Sequence, residues 1–496
     1  MAPASRPAAP RPAAGAAKIS TVSSKKNRKA TRDKLWGGAF DKKTHAGAWA
    51  FGESLASDEP LTVYEIFACE AHVKMLAKQG IISSGESKRL LNALEKMWPD
   101  AYSGKLAMPE GAEDIHAAIE TLLLETAGEA AWKLHTARSR NDLVATTTRM
   151  WLVGSCCNLI AQVQLFQEEL LNLSEQHQGA LMPGYTHQQP AQPITLGYYL
   201  LAYFWMLQRD GWRFERVQEM ADLSPLGSAA LAGTAFPIDR ESTAAELGFK
   251  APIPNALDAV SDRDFVGDAL HACAMLMQHL SRLCNDIILW STAEYGFVTL
   301  DDGYSTGSSI MPQKRNPDFA ELIRGRTGRV IGHWVAYQTM MKGLPLGYNR
   351  DMQEDKPPLF DAMWLCEESL MICSGMLRTL KFNTERMREM AGAKFSTATS
   401  LADALAMKGM PFRKAHEVVG NLVKKCIKKG WTFEDLTPER LRKLVPEIPA
   451  ELLKVLDLEE TVRSRESFGG TGPRAMARQL RRARTLLRQP GFKRIV

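Results

Sequence analysis

Two stretches of this chain place an apolar residue at every third or fourth position without a break. Leu152, Cys156, Leu159, Val163, Phe166, Leu170 and Leu173 follow the spacing 4, 3, 4, 3, 4, 3, and Ala269, Cys273, Leu276, Leu280, Leu283, Ile287 and Trp290 repeat it. Such stripes belong to helices that pack nearly parallel over long distances. No proline interrupts either run, so each helix can reach about 30 residues, or about 45 Å at 1.5 Å per residue. Asn141 or Asp142 is placed to cap the first helix, and Ser261 with Asp264 reads as an S-x-x-D box for the second. Helices this long exceed one small core. They point to an extended bundle whose remaining apolar faces bury against other subunits.

Further helical stretches are expected at about 194–221, 318–342 and 359–381, and strand signal is weak throughout. Gly/Pro-rich connectors lie between them at 179–193, 223–239, 250–260, 299–317 and 343–358. Before the bundle, Leu61–Gln79 and Ile81–Trp98 read as helices around the turn Ser83-Ser84-Gly85. After residue 386 the helices become shorter and more basic, with breaks near Gly409, Gly430, Pro446 and 469–473. The fold class is therefore all-α: a tail at 1–32, an N-terminal helical domain at 33–137, a central long-helix bundle at 138–386 and a small C-terminal helical domain at 387–496.

The net charge of +6 raises the question of nucleic acid. Residues 1–32 carry eight Lys/Arg and no acid, which leaves a net −2 on the remainder. The basic character thus sits in an Ala/Pro/Ser/Lys segment that cannot bury enough apolar surface to fold, which argues against a nucleic-acid-binding folded face. An Arg- and Ala-rich, acid-free start also resembles a transit peptide, although its prolines and missing amphipathic stripe favour a solvated tail. The eight cysteines form no C-x-x-C, and most fall in apolar helical runs. They read as buried reduced thiols of a cytoplasmic protein. No metal-ligand spacing occurs among the histidines, so no metal is expected. No apolar run reaches the ~20 residues that span a bilayer.

Four polar connectors carry the candidate chemistry. In 135-HTARSRND-142, arginines crowd a helix start, where bidentate side chains and free N–H groups suit an anion; an ordinary capped helix start is the alternative. His187 in 183-PGYTHQQPAQP-193 can transfer protons near neutral pH, or serve structure alone. The stretch 305-STGSSIMPQKRNP-317 is neither a Walker A loop nor a nucleophile elbow, which leaves a flexible hairpin or a Ser/Lys/Asn site. Tyr348, Arg350, Gln353 and Lys356 in 343-GLPLGYNRDMQEDKPP-358 can contact a polar ligand or make surface pairs. Together the four suit a polycarboxylate held at helix ends.

STGSSIMPQKRNP resembles the G-S-S-x-M-P-x-K-x-N loop of the fumarase/aspartase superfamily. HTARSRND, KGLPLGYNRDMQEDK, 408-KGMPFRKAHE-417 and 34-KLWGGAF-40 narrow the likeness to the argininosuccinate lyase family, over a span from about Lys34 to 469-GGTGP-473. The resemblance implies cofactor-free elimination of fumarate from argininosuccinate through an aci-carboxylate dianion, in a homotetramer whose sites combine loops of three subunits. It implies Ser308 as base, with Lys314 and Asn316 holding the developing charge, and His187 oriented by Glu321. It assigns Ser139, Arg140, Asn141 and Thr186 to the succinyl carboxylates. Ser54, Tyr348, Gln353 and Lys356 fall to the arginine half, and His116 of 113-EDIH-116 lies near the site. The chain departs from the family pattern at Ala39, Leu143, Tyr198, Tyr199 and Ala229.

Overall fold

Both uninterrupted stripes are single helices, Arg140–Gln176 of 37 residues and Asp264–Trp290 of 27. The longer one spans about 55 Å. In the computed structural model, which describes residues 44–492, every stripe position is buried except Leu173, which is half-buried. Three more long helices, Leu196–Ala221, Asp318–Met341 and Lys356–Thr379, complete the set. The architecture is all-α with a few short strands, as expected. The basic tail and the KLWGGAF stretch with Ala39 lie outside the described residues.

The described chain forms two compact units, and the division falls within each of the five long helices. The first comprises 44–159, 214–273 and 330–364; the second comprises 160–213, 274–329 and 365–492. In the first unit, Thr62–Lys78 and Ser84–Tyr102 form the expected pair of helices. Ser83 closes a capping box: its hydroxyl accepts the Glu86 N–H, and the Glu86 carboxylate accepts the Ser83 N–H. Trp151 packs edge-on to Phe360 with centroids 4.4 Å apart. At Gly267 a Cβ would lie 2.6 Å from the Tyr337 ring, so only glycine admits this close approach.

The second unit carries smaller cores, two of them involving its C-terminal helices. Leu401, Leu405, Ala415, Leu422, Cys426 and Leu441 form one among the C-terminal helices. Met476, Leu480 and Ala483 of helix Pro473–Leu487 pack on Leu171, Leu201 and Phe204 in the other. The breaks fall where the glycines predict. Gly430 caps Phe412–Lys429 in the left-handed conformation, and Pro473 opens the last helix.

Three expectations change. The 179–193 connector is a β-hairpin: Leu181–Thr186 pairs antiparallel with Gln189–Thr195, with a bulge between Gly184 and Tyr185. Its prolines at 183, 190 and 193 mask the strand signal, because proline removes ladder donors and reads as loop. The first long helix is capped by Ser139, not by Asn141 or Asp142: the Ser139 hydroxyl accepts the Asn141 N–H, and Asp142 accepts the Ser139 N–H. At the second, Asp262 accepts the Asp264 N–H, while Ser261 ends the preceding helix and accepts the Gly347 N–H. Cysteine burial holds for seven residues, with Cys157 the exposed exception.

Phe166 is 1% exposed at the centre of the longest stripe. Phe166→Ala removes a ring that its neighbours cannot refill, and it should cost about 3–5 kcal/mol. A lowered urea midpoint with an unchanged slope checks this.

Candidate active site

The Ser308 segment lies in the second unit as a hairpin of its own. Thr306–Gly307 pairs antiparallel with Arg315–Asn316, and the Thr306 hydroxyl is tied to Asp318 at the start of the next helix. Between the strands the loop curls back on Ser308. Its Oγ accepts N–H groups from Ile310 at 3.3 Å and Met311 at 3.1 Å. The Lys314 N–H donates to the Met311 carbonyl at 3.1 Å and closes the turn. A serine hydroxyl ionises only where the alkoxide is held, and two amides aimed at Oγ provide part of that hold. The Lys314 side chain is exposed, Asn316 is half-buried, and Ile310 projects from the tip at 83% exposure.

His187 and Gln188 form the two-residue turn of the 181–195 hairpin, both with positive φ, at 54° and 58°. A type I′ turn demands this conformation and ordinarily takes Asn-Gly. A non-glycine pair there holds local strain of a kind common at functional sites. Thr186 and His187 are exposed. The chain does not join His187 to Glu321: Glu321 is exposed in the first turn of helix Asp318–Met341, and its carboxylate lies 4.0 Å from Arg324. Nearby in sequence, Tyr199 donates to Asp286 at 2.7 Å, and Tyr203 donates to the same oxygen. Burial pushes the Asp286 carboxyl up, and the two hydroxyls partly offset it. Gln188, Tyr199, Asp286 and Arg324 line a cavity of about 390 Å³.

The first unit holds the other candidates. Ser139, Arg140 and Asn141 open the longest helix. The Arg140 guanidinium contacts Glu113 at 3.1 Å and Asp114 at 2.8 Å, so an incoming carboxylate must compete with these acids. The Asn141 amide donates to the Ala230 carbonyl at 3.1 Å. Asp142 is fully buried. One of its oxygens accepts the Ser139 N–H at 3.0 Å, and the other accepts the N–H groups of Gly227 and Ala229 at 3.0 and 2.8 Å. Burial nevertheless pushes its carboxyl up to about 6. Ala229 has φ 52°, which explains the physical advantage of the glycine that the family pattern places there.

Two of the arginine-half candidates, Ser54 and Lys356, meet in a buried charge chain. The Ser54 hydroxyl donates to Asp58 Oδ2 at 2.6 Å, and Lys356 Nζ lies 3.8 Å from Asp58 Oδ1 and 3.4 Å from Asp355. Asp355 in turn accepts from Arg263 Nε at 2.6 Å. Burial opposes the Lys356 ammonium, but Asp355 and Asp58 outweigh it and hold its pKa above the ordinary lysine value. Asp58 is pushed up by burial, with Lys356 partly offsetting. Its Oδ1 has no hydrogen-bond partner, since 3.8 Å leaves only the Coulombic attraction. Gln353 Nε2 donates to the Gly52 carbonyl at 3.2 Å, and Tyr348 is half-buried beside this chain, its phenol pushed up by burial.

His116 is buried, with Nδ1 2.8 Å from the Glu65 carboxylate. Burial disfavours the imidazolium, but Glu65, Asp114 and Asp58 outweigh it and raise the pKa. Sequence reading singled out His116 but missed Glu65, Asp58, Asp355 and Asp142. Each has a decisive partner remote in sequence: His116 for Glu65, Lys356 for Asp58, Arg263 for Asp355, and Gly227 and Ala229 for Asp142. The ion pair at His116 stabilises the fold below the ordinary imidazole pKa and is lost as pH rises through the raised value. Glu65→Gln should therefore drop His116 below the ordinary imidazole value, as burial then prevails; nuclear magnetic resonance titration of the ring proton checks this.

A family model described as lyase matches residues 38–332, and one described as argininosuccinate lyase C-terminal matches 395–463. The argininosuccinate lyase of Symbiobacterium thermophilum is 48% identical over 454 residues, covering 92% of this chain and 98% of its own. That of Carboxydothermus hydrogenoformans is likewise 48% identical, over 92% and 100%. Among solved structures, EDDS lyase in complex with formate is 32% identical with TM-score 0.79, covering 88% of each chain. The 3-carboxy-cis,cis-muconate lactonizing enzyme of Pseudomonas putida, 18% identical with TM-score 0.70 over 89% of this chain and 97% of its own, shares the fold. With both family models and near-complete coverage in agreement, this chain belongs to the argininosuccinate lyase family.

Proposed function

We propose that the protein is a carbon–nitrogen lyase that splits argininosuccinate into arginine and fumarate without a cofactor, as a step of arginine biosynthesis. The observation that carries this reading is the Ser308 hydroxyl, receiving two backbone N–H groups in a loop that also bears Lys314 and Asn316. Ser308 as alkoxide takes the Cβ proton. The electron pair moves into the adjacent carboxylate, which becomes an aci-carboxylate dianion. Lys314 and Asn316 hold that charge, and such fixed donors are usually the largest catalytic contribution. The dianion then collapses to fumarate as the C–N bond breaks. The guanidinium of the substrate is already protonated, so it leaves as neutral guanidine and afterwards collects a proton. His187 faces the substrate from the other side, and Glu321 orients it across subunits of the assembly, since one chain does not bring the two together.

Ser139, Arg140, Asn141 and Thr186 bind the succinyl carboxylates. Ser54, Tyr348, Gln353 and Lys356 bind the arginine half, with His116 behind them. The unpartnered Asp58 Oδ1 supports this assignment, since the cationic arginine half brings the donor it lacks. The protein works as a homotetramer whose sites combine loops of different subunits. The exposure of Thr186, His187 and Lys314 within one chain favours that arrangement, as do the exposed apolar residues Leu165, Leu322, Val335 and Met371 on the long helices. Residues 33–137, 138–386 and 387–496 act as its N-terminal, bundle and C-terminal domains. Seven buried free thiols fit the reducing cytoplasm. Among the described residues no helix is long and apolar enough to cross a membrane.

Purified protein given argininosuccinate should release fumarate, read by ultraviolet absorbance, and Ser308→Ala should lower the rate by about 10²–10⁴-fold. Full activity in Ser308→Ala overturns the assignment of the base. A second reading, elimination from an aminopolycarboxylate, is favoured by the likeness to EDDS lyase. Relative kcat/KM over a panel of N-substituted aspartates separates the two.

A further inference from the structure

Asp142 has no role in the elimination, yet it is the most heavily bonded carboxylate near the anion-binding segment. Its two oxygens face different parts of the chain. Oδ1 holds the Ser139 N–H at the start of the 140–176 helix, and Oδ2 holds the Gly227 and Ala229 N–H groups of a loop 85 and 87 residues away. A fourth contact runs alongside, from the Asn141 amide to the Ala230 carbonyl at 3.1 Å. The loop is gripped from its other side as well. Arg240 Nε donates to the Leu226 carbonyl at 3.1 Å, and its Nη2 donates to the Ser228 hydroxyl at 3.0 Å. Gly227 has φ 91°, and a Cβ there would lie 2.7 Å from Arg240 Cγ, so the loop backbone is pinned between the two side chains. Beyond this clamp the loop turns outward, with Leu231 and Phe236 about half exposed.

We infer that Asp142 is a positioning residue: it clips the 227–230 loop to Ser139, Arg140 and Asn141 and so sets the geometry with which these residues grip the non-reacting carboxylate. A buried acceptor that satisfies three N–H groups from two segments fixes their register more tightly than any exposed contact could. The cap of the helix and the seat of the loop then depend on the same carboxylate. A group that orients ground-state and transition-state binding alike changes KM and leaves kcat nearly unchanged. This inference rests on the lyase reading for its kinetic part only.

The test is Asp142→Asn in the full-length protein. An amide has a single acceptor oxygen, so it can serve Ser139 or the loop but not both. Hydrogen exchange at residues 226–230 should quicken about tenfold at constant pH, and KM for argininosuccinate should rise about tenfold with kcat within about threefold. A merely structural role would instead lower kcat through lost folded enzyme and leave KM alone, which overturns the inference. Unchanged exchange, or faster exchange with unchanged KM, overturns it too. Exchange needs no substrate, so a failed lyase reading shows as absent wild-type turnover and is distinguishable. Should the variant not fold, wild-type exchange decides. Arg138 and Arg240, the charged groups facing Asp142, stay protonated as it is acidified. Protection at Gly227 and Ala229, corrected for intrinsic rates, should then fall between about pH 8 and about pH 5; a flat profile overturns the clip.

Discussion

Continuous burial of an apolar stripe along very long helices is the constraint on which the rest depends. Inside such a helix every backbone N–H and C=O is already satisfied, so its interior needs no polar partner. The unsatisfied groups collect at the ends. All the candidate chemistry accordingly sits at helix ends or in the connectors between them. Ser139–Asn141 open the first long helix, Lys356 opens the last, and the Ser308 hairpin leads directly into helix Asp318–Met341. Rigid helices fix where these segments begin, and short loops then need only local hydrogen bonds to hold a reacting group.

Those local bonds fall into two styles. In the Ser308 and His187 hairpins the functional side chains are exposed or half-buried, held by turn geometry and backbone donors. In the first unit the functional groups sit among compensating charges: Lys356 with Asp58 and Asp355 and His116 with Glu65, all buried, and Arg140 with Glu113 and Asp114, half-buried. A buried charge without its partner is strongly destabilising. These pairs therefore hold the binding groups ionised and oriented before a ligand arrives. Arg140 is the exception with functional meaning, because its acids must be displaced or shared when a carboxylate binds.

How much was legible in the sequence follows from the range of each interaction. Helix periodicity is local and repeated, so five long helices could be placed within a few residues of their observed bounds. Caps involve choices among adjacent polar residues. Ser139 takes the cap, and Asp142 serves both the Ser139 N–H and the 227–229 loop, a second demand invisible from the helix alone. The 181–195 hairpin was hidden by its prolines and by a His-Gln turn where Asn-Gly would have announced it. The Ser308 loop was readable because its glycine and small residues allow a tight curl, and the curl does aim N–H groups at Oγ.

By itself the sequence determined the all-α class, the stripe-bearing helices, the breaks at Gly430 and Pro473, and the polar segments that carry the candidate residues. Each of these rests on periodicity, backbone allowance or motif spacing within a few residues. Only the tertiary structure decided which partner each buried acid meets: Glu65 with His116, Asp58 with Lys356, Asp142 with the N–H groups of Gly227 and Ala229. Such pairings join residues from 51 apart, His116 and Glu65, to 298 apart, Lys356 and Asp58, and a charge in a sequence carries no record of the partner that burial will force upon it.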